Sequence, residues 1–222
     1  MSNTPTPIDS TTSLISPATR IPQPSEPLKL GVMASGSGTN FEAIAQAIAD
    51  GELHAQIQVL IYNNPGAKVA ARAEGWGIPA VLLNHREFAN REALDGAIVQ
   101  VLQAHGVEWV IMAGWMRIVT TVLIDAFPNR VINIHPSLLP SFKGAHAIAQ
   151  AFNAGVKITG CTVHLVCLEV DSGPILIQAA VPILPDDTLE TLQARIQVQE
   201  HRIFPKAIAI AATAVSTMSP ST

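Results

Sequence analysis

Two cysteines in 222 residues leave no material for a disulfide framework. Cys161 and Cys167 lie in or beside an apolar run without Cys-x-x-Cys spacing, so they read as small buried thiols of a reducing compartment. The histidines and acids show no His-Glu-x-x-His or similar spacing, and no metal is expected. Charge is scarce at 14% of residues, and the net charge of −4 gives no basic footprint. Nucleic acid is therefore not an expected partner. No apolar run approaches the ~18 residues of a membrane span, so no membrane partner is expected either. An anionic substrate would have to be held by local donors, because the global field repels it.

Nearly half the residues (48%) are apolar, a globular composition, and the length suits one domain with a tail. Residues 1–27 are mostly Ser, Thr and Pro with few large apolar side chains. They read as a disordered extension that cannot bury enough surface to offset its ordering entropy. The extension lacks the apolar core of a secretory signal, and Arg20 is its only basic residue. A cytoplasmic location is expected, with organellar targeting through this extension as the alternative. Residues 28–216 form the expected catalytic domain, and 217–222 a short disordered tail.

From Leu28 onward, apolar runs alternate with helical periodicity. Strands are expected at 30–34, 57–62, 80–83, 109–113 and 130–135, and helices after 40, at 67–76 and at 91–105. That alternation implies βαβ units and a parallel sheet covered on both faces. Two further strands, 158–166 and 174–183, stand close enough for a hairpin, which makes the sheet mixed overall. A last helix is expected to open at Asp187, with Glu190 in capping-box register, and to bend or break at Pro205.

Three constellations carry chemistry. The first strand runs into Ser35-Gly36-Ser37-Gly38-Thr39-Asn40 and then a helix, an arrangement that presents free N–H groups to an anion. Phe41 takes the place of the third glycine of a dinucleotide fingerprint, and Asn63-Asn64 stand where an acidic ribose ligand would be, so a monophosphate fits best. Next, Asn133 and His135 sit two apart at the carboxyl end of a strand, on one face, where open α/β sheets bind ligands. Together they supply two donors for one developing oxyanion. Asp171, in Glu169-Val170-Asp171-Ser172-Gly173-Pro174, would favour a cationic His135 if the two face each other; otherwise it shapes a turn. On residue type alone, His164 reads as a satisfied core histidine and Glu200 as a solvated helix-face residue.

These segments, with Ala113-Gly114-Trp115-Met116-Arg117-Ile118 and Gln199-Glu200-His201, stand in the order and spacing of the phosphoribosylglycinamide formyltransferases, which the chain resembles from about Leu28 to about Ala212. The Asn133 to Pro140 segment with the downstream Asp171-Ser172-Gly173-Pro174 is the formyl-folate signature; the Gly-Ser-Gly-Thr-Asn loop points to the glycinamide ribonucleotide branch. The resemblance implies a Rossmann-like open sheet, the formyltransferase fold, and transfer of a formyl group from 10-formyltetrahydrofolate, a co-substrate, to the primary amine of glycinamide ribonucleotide. It implies Asn133, His135 and Asp171 as the catalytic trio. Gly38, Thr39 and Asn40 fall where the family holds the substrate phosphate, and Glu200 where it contacts the rest of that ribonucleotide. Arg91, Met116, Arg117, Ile118, Val119, Asn133 and the backbone of Cys167, Leu168, Glu169, Val170 and Asp171 fall where it receives the folate. A monomer or weak homodimer is expected. Ile148 stands where some relatives carry a second histidine, so that histidine is not essential here.

Two rival activities share parts of this pattern. A formyltetrahydrofolate deformylase normally has a separate regulatory domain, for which the 27-residue lead is too short. A methionyl-tRNA formyltransferase needs a C-terminal RNA-binding domain and a basic stripe. A non-catalytic folate- or nucleotide-binding module would have no need of the Asn133, His135 and Asp171 trio.

Overall fold

The computed structural model describes residues 14–17 and 24–218, with backbone alone from 214 onward. In chain order the elements are β1 (Ile15–Ser16), β2 (Leu28–Ala34), α1 (Thr39–Ala49), β3 (Ala55–Tyr62), α2 (Val69–Gly75) and β4 (Ala80–Leu82). There follow α3 (Arg91–Ala104), β5 (Trp109–Met112), α4 (Thr121–Ala126), β6 (Val131–His135), α5 (Ala147–Asn153), β7 (Ile158–Leu165), β8 (Ile175–Pro182) and α6 (Leu189–Met218). One sheet holds all the described strands in the order β1-β8-β7-β6-β5-β2-β3-β4. Strands β2 to β6 run parallel, while β7, β8 and β1 each pair antiparallel with a neighbour. The expected mixed sheet is what the chain forms.

Alternation within the strands divides the core between two faces. Leu30, Val32, Ile111, Ile132 and Ile134 pack with α1 and α6 on one side. Met33, Val110, Met112 and Val131 pack with α3 and α4 on the other. Chain order reverses between β2 and β5: β3 and β4 lie to one side of β2, and β5 and β6 to the other. The carboxyl ends of β2 and β5 thus bound the crevice in which open α/β sheets take ligands.

The structure departs from the sequence reading in four places. The extension is not without structure throughout, because Ile15–Ser16 adds an edge strand to β8, with Ala180 N–H donating to Leu14 O at 2.9 Å. Ile15 also packs against the core. The other calls on 1–13, 18–23 and 219–222 lie outside the described residues. Helix α6 begins two residues after Asp187, with Thr188 and Thr191 exchanging the reciprocal side-chain to backbone bonds of a cap. Asp187 instead binds Arg195 through both carboxylate oxygens, at 2.7 Å each, which holds its carboxyl well below the usual range. Pro205 does not end α6, which continues to Met218. Ile203, Phe204 and Ile208 are fully buried there. Their burial, about 1.5–3 kcal/mol each, outweighs the ~3 kcal/mol that an interior proline costs. Finally, the short helices α4 and α5 had no periodicity long enough to be read.

Removing residues 1–17 should leave kcat unchanged and lower Tm by about 2–4 °C, the loss expected from one half-buried isoleucine in a chain of this size. Thermal melts and steady-state rates of the shortened and full-length proteins check this. An unchanged Tm would mean that β1 contributes nothing to the fold, and a fall in kcat that it reaches the site.

Candidate active site

A cleft of about 880 Å³ crosses the carboxyl ends of β2, β5 and β6 and is flanked by α6. At one end, β2 hands over to α1 through the Ser-Gly turn. Gly38, the residue before the helix, has φ 76°, a left-handed conformation that favours glycine. A Cβ there would stand 2.7 Å from Val69 Cβ and 3.0 Å from its Cα. Glu42 N–H makes the bond to Gly38 O, so the N–H groups of Thr39, Asn40 and Phe41 head the helix without an intrahelical acceptor. The Asn40 side chain is turned differently from its expected use as a phosphate donor. It is buried, and its Nδ2 donates to Glu200 Oε2 at 3.0 Å. Glu200 is likewise buried (7% exposed) rather than solvated. Burial pushes its carboxyl pKa up, and the Asn40 bond offsets only part of that.

At the centre, β6 carries Asn133 and His135 on the face shared with Val131, and β7 lies antiparallel beside it. Asn133 is paired with His164 and His135 with Thr162. The His135 ring is held at both nitrogens: Nδ1 lies 3.3 Å from Asp171 Oδ2, and Nε2 lies 2.8 Å from the Phe142 carbonyl. Asp171 Oδ2 also accepts from Gly144 N–H at 2.8 Å, and Oδ1 lies 3.7 Å from His164 Nε2. Burial pushes the Asp171 carboxyl up, but the adjoining His164, the Gly144 hydrogen bond and the charge of His135 more than offset it, leaving its pKa lowered. Asp171 and Phe142 both have left-handed backbones, φ 52° and 53°. For Phe142, such a conformation is an outlier, and it is the one that presents its carbonyl to His135. Asp171 therefore faces His135 and is not merely a turn residue.

One wall is apolar and open. Met116 (76% exposed), Ile118 (53%) and Leu168 (64%) are large hydrophobic side chains on the cleft wall. Arg117, Val119, Cys167, Val170 and Asp171 line it as well. Arg91 is exposed at the start of α3, and the Glu169 side chain pairs with Lys143 at 3.3 Å, which leaves its backbone, the expected contact, free of that pairing. Ile148, in place of a second histidine, lines it as a partly buried apolar residue.

His164 is the member that sequence reasoning missed. It is buried (2% exposed), yet its Nε2 lies 3.3 Å from Asn133 Nδ2. A signal was present: Thr162 and His164 alternate with Cys161, Val163 and Leu165, the same two-residue polar rhythm as Asn133 and His135. Only the β6–β7 register turns that rhythm into a cluster. Among the described residues, no three His, Cys, Asp or Glu side chains group as a metal site, and no helix is long and apolar enough to cross a membrane.

A mixed, doubly covered sheet thus carries a cleft that joins an anion-type turn, a polar centre and an apolar mouth. A family model described as formyl transferase matches residues 28–208, and the chain belongs to that family. It is 43% identical to the phosphoribosylglycinamide formyltransferase of Bacillus subtilis over 180 residues, covering 81% of this chain and 92% of that one. It is 41% identical to the trifunctional purine biosynthetic protein adenosine-3 of Gallus gallus over 186 residues. That match covers 84% of this chain but only 18% of the relative's length. Among solved structures, glycinamide ribonucleotide transformylase 1 of Symbiobacterium toebii superposes with a TM-score of 0.83 at 43% identity, covering 89% of this chain and 94% of the other.

Proposed function

We propose that this chain transfers the formyl group of 10-formyltetrahydrofolate to the primary amine of glycinamide ribonucleotide, a step of purine biosynthesis, in the cytoplasm. The observation that carries this reading is a single cleft lined together by the Gly36–Asn40 turn and Glu200, by Met116 to Val119, and by Asn133, His135 and Asp171. In the proposed arrangement the N–H groups of Thr39 and Asn40 take the phosphate. Glu200 takes the sugar or amide portion, and the apolar mouth takes the folate rings.

The substrate amine is the nucleophile, so no serine or cysteine need be activated. Attack forms a C–N bond at the formyl carbon and places negative charge on its oxygen, within reach of Asn133 Nδ2. His135 contributes its Nε2–H once the entering formyl oxygen replaces the Phe142 carbonyl. Collapse breaks the bond to the folate nitrogen. That nitrogen takes up one proton while the former amine gives one up, so the reaction releases no net acid. Asp171 holds its negative charge against the far side of the His135 ring and steadies the cationic form. Binding both substrates in one cleft adds the proximity contribution.

Absorbance-monitored folate release, with glycinamide ribonucleotide present and absent, tests the reading. Release should require the ribonucleotide; release without it would make the protein a deformylase, and no release in either case would leave a binding module.

Glu200 gives a pH-dependent prediction. Its raised pKa means that its favourable contribution to stability is complete below the ordinary value of 4.5 and declines as pH rises toward the folded value. Glu200→Gln should therefore gain stability relative to the parent as pH rises above 4.5, while its KM for the ribonucleotide increases and folate binding is spared. Melting curves from pH 4 to 8 and steady-state kinetics check both halves; a stability difference that does not vary with pH would refute the buried-carboxyl account.

A further inference from the structure

The apolar mouth raises a physical question. Met116 and Ile118 hold large hydrophobic side chains in the open, where a free loop would fold them away. Both ends of their segment are tied down. Ser35, at the end of β2, is buried, and its Oγ accepts the Met116 N–H at 2.9 Å, while its own N–H donates to Gly114 O at 3.1 Å. At the other end, the Thr120 N–H and hydroxyl both donate to a single oxygen, Asp95 Oδ2, at 2.5 and 2.8 Å. Asp95 is 2% exposed, sits on α3 and does not line the cleft. Thr120 also caps α4 by accepting the Val122 N–H.

We propose that Asp95 is a positioning residue of the folate-binding mouth. Acting through Thr120, it fixes the downstream end of Met116–Val119, as Ser35 fixes the upstream end, and so keeps Met116 and Ile118 presented to a flat apolar ligand. The proposal rests on the functional reading above, and neither Asp95 nor Thr120 lines the cleft. A buried carboxylate is a costly device for packing alone. Burial raises the Asp95 pKa, and the two Thr120 bonds offset only part of that increase. What the carboxylate offers is two charge-assisted bonds converging on one residue, which set the direction of the chain leaving the mouth.

The test compares Asp95→Ala, Asp95→Asn and Thr120→Val with the parent by KM for each substrate, by kcat and by calorimetric folate binding. Asp95→Ala should raise the folate KM by about tenfold or more, the weight of a lost bond to a charged group, while kcat and the ribonucleotide KM move less than about threefold. Asp95→Asn, which keeps one acceptor, should recover part of the loss, and Thr120→Val should show a smaller loss of the same kind. Should Asp95→Ala fail to fold, the other two variants decide: a selective rise in folate KM supports the proposal, and an unchanged folate KM in both overturns it. Equal weakening of both substrates, or a fall in kcat alone, also overturns it. A parent protein that binds formyl-folate without transferring the formyl group defeats the functional reading instead, and the Asp95 comparison then stands on the binding data.

Discussion

His135→Ala and Asn133→Ala should each lower kcat by about 10²–10³-fold, the cost of losing one donor to a developing oxyanion, with little change in either KM. The reasoning is that both side chains bind more tightly as charge accumulates on the formyl oxygen than they do in the ground state. His135 is preset for this, because its ring is buried between Asp171 at 3.3 Å and the Phe142 carbonyl at 2.8 Å. Its ring therefore needs no reorientation; its Nε2 only exchanges the Phe142 carbonyl for the formyl oxygen. Asp171→Asn should fall in the same class: it removes the negative charge facing Nδ1 but keeps the shape. Steady-state kinetics decide. A near-normal kcat in His135→Ala would return His135 to the role of a structural strand histidine.

Gly38→Val should cut ribonucleotide affinity by about a hundredfold, equivalent to one or two lost bonds to a charged phosphate, and leave folate affinity nearly unchanged. Two independent features lead to this. The φ of 76° at Gly38 is unfavourable for a β-branched residue, and any Cβ would meet Val69, whose Cβ and Cα stand 2.7 and 3.0 Å away. The turn must rebuild, and the N–H groups of Thr39 and Asn40 move with it. Calorimetric titration of each ligand separately is the check. Parallel weakening of both ligands would indicate a general folding defect and not an anion site.

The parallel half of the sheet was legible because each strand is a short apolar run closed by a turn signal, as at Asn63-Asn64-Pro65-Gly66. The β7–β8 hairpin was legible from two such runs separated by too few residues for a crossover. What escaped was of two kinds. Short elements lack a period: α4 and α5 span six and seven residues, and β1 only two. Burial of polar groups depends on partners far away in sequence. Glu200 has the spacing of a surface residue, and only Asn40, 160 positions earlier, accounts for its burial. His164 looked inert until β7 was laid against β6. Similarly, an acid at the spacing of Asp187 is a cap signal, whereas Arg195 claims its carboxylate. Asn133, His135 and Asp171 were within reach for the opposite reason: polar side chains at a strand end, and an acid in the loop that follows, need little tertiary information to be noticed.

The most direct measurement follows the fate of the formyl carbon. Formyl-folate labelled at that carbon should, in a single turnover with excess enzyme and glycinamide ribonucleotide, deliver its label to the ribonucleotide in amounts equal to the folate released, with little free formate. Label appearing as formate, at a rate indifferent to the ribonucleotide, would contradict a cleft built to hold an amine by its phosphate and would make water the true nucleophile.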